Sequence, residues 1–177
     1  MNASSGSQPW KIKYRPYLYA MAAAFITTML VAPETIEGDS MEPALSEGQV
    51  IILSKEDYSE KRSTPEMGEI VVLDKVQTME FRLKSDFKND NSVLRVAGLP
   101  GETIDSPELL GDYPGPLELA ENQVWLVCDN IPNAVSAEEL YGPYLDSRTM
   151  GPVDMKQIRG KARLIVWPIS DIGRIKS

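Results

Sequence analysis

A serine hydroxyl, Ser40, stands in the run Gly38-Asp39-Ser40-Met41-Glu42-Pro43-Ala44-Leu45. Such a hydroxyl attacks a carbonyl effectively only when a base takes its proton. The chain contains no histidine and a single cysteine, Cys128. That composition excludes Ser-His and Cys-His pairs, histidine metal ligands, intrachain disulfides and cysteine-rich zinc sites, and it points to no metal or cofactor. Any hydrolytic chemistry must draw its base from Lys, Asp, Glu or an amine. Asp39 adjoins Ser40, but adjacent residues on a strand point to opposite faces, so Asp39 is set aside. Three further patterns follow in order. They are Gly48–Leu53 with Gly68–Leu73, then Arg95-Val96-Ala97-Gly98-Leu99-Pro100-Gly101-Glu102-Thr103-Ile104, then Asp129-Asn130 followed after a gap by Asp146-Ser147-Arg148. Asp146 and Arg148, two apart on one side of an extended segment, suit a structural ion pair. Cys128 reads as a small buried hydrophobe, because nothing near it suggests an activated thiolate.

The elements that must position these residues are legible around them. The 177 residues make one ordinary domain or two small ones. Lys+Arg is 18 against Asp+Glu 26, a net charge of -8, so there is no basic face for nucleic acid. Residues 1–15 are polar and end with Lys11, Lys13 and Arg15. Pro16–Pro33 is an uncharged run of 18 residues, against the roughly 17–25 apolar residues that a spanning helix needs. Glu34, Glu37, Asp39, Glu42 and Glu47 follow with no Lys or Arg among them. The positive-inside rule then puts residues 1–15 in the cytoplasm, a transmembrane helix at 16–33 and residues 34–177 outside, with Tyr14, Tyr17 and Tyr19 at headgroup level. A buried helix of a soluble domain and a cleavable signal peptide are the competing readings, disfavoured by the charge asymmetry and by the lack of a small-x-small cleavage site. Beyond the anchor, 49–54, 69–73, 93–97, 122–128 and 161–167 are short runs rich in Val, Ile, Leu and Trp, separated by Gly, Pro and Asp-Asn turns. They predict a mainly β fold, a barrel or a pair of packed sheets. Residues 137–141 suit one helical turn, 55–66 and 84–92 suit solvated loops, and Trp125 and Trp167 suit core or interface positions.

In this order, behind one anchor, the four patterns resemble the type I signal peptidase (leader peptidase) family over about residues 34–168. The resemblance implies an antiparallel β domain resting on the outer membrane face. It implies a serine endopeptidase that removes signal peptides from exported proteins, with Ser40 as nucleophile. Signal peptides or preproteins and the lipid bilayer are then its partners. The substrate binds as an added strand, with Met41, Pro43, Ile70, Val71 and Val72 lining it and Asp146, Ser147 and Arg148 structural beside the site. Ser40 lies seven residues past Pro33, a tether that holds the hydroxyl near the depth at which a signal peptide leaves the bilayer.

Two departures disturb this picture. The family's base is a desolvated lysine directly preceding the arginine of the third pattern. Here that residue is Leu94, and Arg95, Gly98, Pro100 and Gly101 fix the register. The serine that orients the lysine falls at Tyr144, with Ser136 an alternative only if the inserted segment folds away, and Cys128 replaces a glycine. Three readings follow: cleavage with a base from elsewhere, Lys84 or Lys88 being nearest in sequence; an inactive relative that binds peptides or assists assembly of exported or surface proteins; or a protein working beside a catalytic partner. Soluble self-cleaving Ser-Lys regulators are disfavoured by the anchor and by the missing DNA-binding domain. The bacterial plasma membrane is preferred over the mitochondrial inner membrane, because residues 1–10 lack Arg-rich transit character.

Overall fold

The computed structural model describes residues 14–22, 31–55, 58, 63–73, 92–111, 113–130 and 146–175. Residues 14–22 are helical and exposed. Residues 23–30, the middle of the uncharged run, lie outside the described residues. Among the described residues no helix is long and apolar enough to cross a membrane. Residues 31–33, the last of that run, are strand. They open β1 (Val31–Thr35), which pairs antiparallel with β2 (Val50–Ser54), Val31 opposite Ser54 and Thr35 opposite Val50. A helix reaching residue 33 is thus excluded. Ala32 is buried and Pro33 exposed, the alternation of a strand at a sheet edge, where a proline is tolerated.

The remaining strands are β3 (Ile70–Leu73), β4 (Ser92–Gly98), β5 (Thr103–Ile104), β6 (Leu117–Glu118), β7 (Gln123–Val127), β8 (Val153–Asp154), β9 (Ile158–Trp167) and β10 (Gly173–Arg174). One antiparallel sheet runs β1-β2-β9-β3-β4-β7-β8, with β10 also on β9, and β5-β6 form a separate ribbon. The architecture is therefore mainly antiparallel β, as the alternating strand and turn pattern predicts. The first two Gly-led patterns build matching turns. Gly48 at φ 81° and Gly68 at φ 83° take the left-handed conformation that glycine adopts without strain. Gln49 N–H closes one turn on Ser46 O at 3.2 Å, and Glu69 N–H closes the other on Glu66 O at 3.2 Å.

Both faces of the central strands are covered. Val71, Leu73, Leu94, Val96, Val124, Leu126, Cys128, Val153 and Met155 form one buried cluster. Ile36, Met41, Leu45, Ile51, Leu53, Ile70, Val72, Ala162 and Ile165 form the other. The alternation along β3 assigns its side chains to the two clusters in turn, and all four of its residues are at most 2% exposed. Burying each such aliphatic side chain stabilises by about 1.5–3 kcal/mol. A third cluster gathers Trp125 with Ile104, Leu110 and Leu119 beneath the β5-β6 ribbon. Trp125 is fully buried, donating Nε1–H to Leu109 O at 2.9 Å. Trp167, by contrast, is 55% exposed and belongs to no core.

Candidate active site

Residues 38–45 are bends and turns rather than strand, so the alternation argument against Asp39 does not apply to this segment. The turn is held from three directions. Glu42 N–H bonds Asp39 O at 3.1 Å and Leu45 N–H bonds Met41 O at 2.9 Å. Met41 and Leu45 are buried at 1% and 0% exposure in the cluster that contains Ile70 and Val72. From across the molecule, Asn130 N–H donates to Ser40 O at 2.9 Å and Asn130 Nδ2 donates to Asp39 O at 3.0 Å. Ser40 itself is half-buried, and among the described residues its hydroxyl has no hydrogen-bond partner.

The segment after β7 also anchors β4. Asp129 accepts Arg95 Nε–H on Oδ1 at 2.7 Å and Nη2–H on Oδ2 at 2.6 Å, while Arg95 Nη1–H bonds Gly68 O at 2.7 Å. Hydrogen bonding to Asp129 raises the already high pKa of the Arg95 guanidinium, so that group stays charged. Arg95 thereby ties together the third pattern, the Gly68 turn and the Asp129-Asn130 dipeptide.

Asp146 and Arg148 do pair, but not on an extended segment. Asp146 is the N-cap of the single helical turn Ser147–Met150. Its carboxylate accepts Arg148 N–H at 2.9 Å, Arg148 Nε–H at 2.9 Å, Arg148 Nη2–H and the N–H of Cys128 at 3.1 Å. Ser147 Oγ accepts Leu126 N–H at 2.9 Å. All three residues are buried, so this turn braces β7 from beneath. Cys128, 4% exposed, has its thiol pushed up to about 12, first by burial and then by the Asp146 carboxylate. It is no nucleophile at neutral pH.

Leu94 is 1% exposed and lies opposite Val71 in the β3-β4 register, inside the same cluster as Leu126 and Cys128. The described residues of that cluster are aliphatic apart from the Tyr58 phenol, Met155 and the Cys128 thiol. Lys84, Lys88, Ser136 and Tyr144 lie outside the described residues. Of the described lysines, Lys161 pairs with the buried Glu69 carboxylate, while Lys55 and Lys156 are exposed. Sequence reasoning missed the Glu69–Lys161 and Arg95–Asp129 pairs and the Asn130 bonds. All three join residues far apart in the chain, and only the Asp129-Asn130 dipeptide itself hinted at them.

Pro43 is exposed, whereas Ile70, Val71 and Val72 are 0–2% exposed. Ile70 and Val72 form the floor under Met41, and Val71 faces the other cluster. β3 is flanked by β4 and β9 over Val71–Leu73, so strand addition has no free edge there. The outer strand on the Ser40 side is β1, which ends five residues before Ser40. The cavity of about 490 Å³ between residues 66–70 and residues 161–164 with 174–175 is lined by none of residues 40–45. Among the described residues no cluster of His, Cys, Asp and Glu could hold a metal ion.

A turn carrying a half-buried serine is thus laid on an antiparallel sheet and tied to it by the third and fourth patterns. Residues 12–109 match the family described as signal peptidase, peptidase S26, and the chain belongs to that family. It is 28% identical over 194 aligned positions to signal peptidase IB of Staphylococcus aureus strain COL, with 88% of this chain and 90% of that protein covered. It is 25% identical over 181 positions to signal peptidase I of Bacillus licheniformis, covering 85% and 84% of the two chains. Ser40, Leu94 and Arg95 all fall within the matched residues.

Proposed function

We propose that this chain is a membrane-anchored signal-peptidase-type protein of the bacterial plasma membrane. In this reading it recognises the signal peptides of exported proteins on the outer side and turns them over slowly for want of a base. The observation that carries the proposal is the pairing of an intact Ser40 turn with a buried leucine at position 94. Ser40 supplies the attacking hydroxyl, and the backbone N–H groups of its turn are the nearest donors for a developing oxyanion. Leu94 stands where the family resemblance calls for the amine. General-base help is worth about 10²–10⁴ in rate, and leucine supplies none. The charge asymmetry around residues 16–33 supports an N-terminus inside and the β domain outside.

Substrate recognition would use the exposed side of the Ser40 turn, under which Met41, Ile70 and Val72 are buried, with the peptide running as an extra strand along β1. The test is binding of a fluorescent signal-peptide analogue to the full chain in detergent micelles. Saturable binding is expected, weakened by bulky residues at the small positions before the cleavage site. Equal affinity for the bulky peptides, or no binding, contradicts the proposal.

A further inference from the structure

The Ser40 turn is not part of the sheet, so something must set its orientation. Gly38, at φ 77°, leaves the chain free to pivot on its β1 side. On the other side Met41 is fixed by burial. Between these points, the carbonyls of the two peptides that flank Ser40 both accept from one residue. Asn130 gives its backbone N–H to Ser40 O and its side-chain amide to Asp39 O, at 2.9 and 3.0 Å. Asn130 is itself placed by its neighbour Asp129, whose carboxylate is locked to Arg95 by two bonds. A rigid strut thus runs from β4 through Asp129 to the serine turn.

We infer that Asn130 is a positioning residue: its paired donors fix the peptide planes on either side of Ser40, and so the direction of the hydroxyl toward a bound peptide. This deepens the function proposed above and rests on Ser40 facing the substrate. Neither bond touches the hydroxyl, so Asn130 acts through the backbone. A neutral hydrogen bond of ordinary strength changes a local opening equilibrium about fivefold. Losing the side-chain donor should therefore loosen this turn while leaving the sheet as it is.

The experiment is hydrogen exchange, read by mass spectrometry on the full chain in micelles, for wild type, Asn130→Ala and Asn130→Asp at pH 7 and at pH 3.5. Signal-peptide affinity is measured in parallel at pH 7. Asn130→Ala is expected to speed exchange in residues 39–42 about fivefold, with β2, β4, β7 and β9 unchanged, and to weaken peptide binding by a similar factor. Asn130→Asp is the discriminating variant. At pH 7 its carboxylate opposes Asp39 O and the turn opens. At pH 3.5 the protonated acid can donate to the same oxygen, and protection returns. Wild type at both pH values controls for titration of Asp39, Glu42 and Asp129, the carboxylates nearest the turn in sequence or contact. A residue that acted only by filling space would not show that pH-dependent rescue, and a loss of peptide affinity alongside the loosened turn separates positioning from a merely structural bond. Unchanged exchange at 39–42 overturns the inference, as does acceleration spread evenly over the sheet. If the wild type binds no peptide while the turn still loosens as described, the functional proposal fails and the strut stands.

Discussion

The Ser40 side of the site and the Leu94 side are built from opposite materials. Around Ser40 the contacts are directional: two bonds from Asn130, a bidentate Asp129–Arg95 pair, and an Asp146 carboxylate that accepts four donors behind β7. Around Leu94 they are apolar: Val71, Val96, Leu126 and the inert thiol of Cys128. In the proposed reading one half presents a nucleophile, and the other half, where the family resemblance calls for an amine, is core. Polar networks fail when one member is removed, because the rest are left unsatisfied. An apolar pocket has no such dependence, so in the proposed reading a leucine at 94 supplies no base and still leaves a well-packed sheet. If that reading holds, presentation of a serine and activation of that serine are separable properties of this fold.

The largest stability effect should come from the polar half. Asp146→Ala removes the buried carboxylate that accepts from Arg148 and strips partners from two backbone N–H groups. Breaking a buried pair from one side costs about 3–5 kcal/mol, which lowers the melting midpoint on the order of 10 °C for a domain of this size. Calorimetry on the full chain checks it, and a change within 1–2 °C would mean the network is not holding β7. The apolar half should respond nearly as strongly. Leu94→Ala removes a fully buried side chain and should cost about 2–5 kcal/mol in the same assay. A neutral result there would show that residue 94 lines an open slot rather than core.

How far the chain discloses this in advance depends on the range of the interactions. The runs at 49–54, 69–73, 93–97, 122–128 and 161–167 coincide closely with β2, β3, β4, β7 and β9, because β-branched runs between turn residues are local signals. β1 is hidden, because Val31–Pro33 continue an apolar run that reads as helix until β2 is there to pair with it. The two-residue strands β5, β6, β8 and β10 are too short to leave a period. At the site, the Ser40 segment reads as strand and is a turn, while the Asp146–Arg148 pair and the buried Cys128 can be read from local pattern. The burial of Ile70, Val71 and Val72 on two different faces cannot. It follows from β3 lying between β4 and β9, a long-range pairing. The ties from Asp129 and Asn130 to β4 and to the serine turn are hidden for the same reason.

A smaller effect separates Cys128 from its polar neighbours. Its thiol is raised to about 12 in the folded chain, against roughly 8.5 in an unfolded one. The folded state therefore holds a proton that the unfolded state loses. The associated stability is fully present below about pH 8.5 and is lost as pH rises toward the folded value. Urea titrations at pH 8 and pH 10.5 should show a larger loss for wild type than for Cys128→Ala, and iodoacetamide should alkylate Cys128 only after unfolding. Rapid alkylation of the native chain at pH 8 would place the thiol outside the Leu94 cluster.

The separation of presentation from activation is tested most directly by cleavage of a preprotein in detergent or lipid, with wild type, Ser40→Ala, Leu94→Lys and the Leu94→Lys, Tyr144→Ser pair assayed together. Wild type should fall close to Ser40→Ala. Leu94→Lys should rise above both, because the apolar slot that holds leucine accepts a lysine stem and lowers the pKa of its amine. The ceiling is the 10²–10⁴ that general-base help is worth, and the pair should exceed the single change. Robust wild-type cleavage that Ser40→Ala abolishes would contradict the account and would mean that another group, with Lys84 and Lys88 the first to test, already activates the serine.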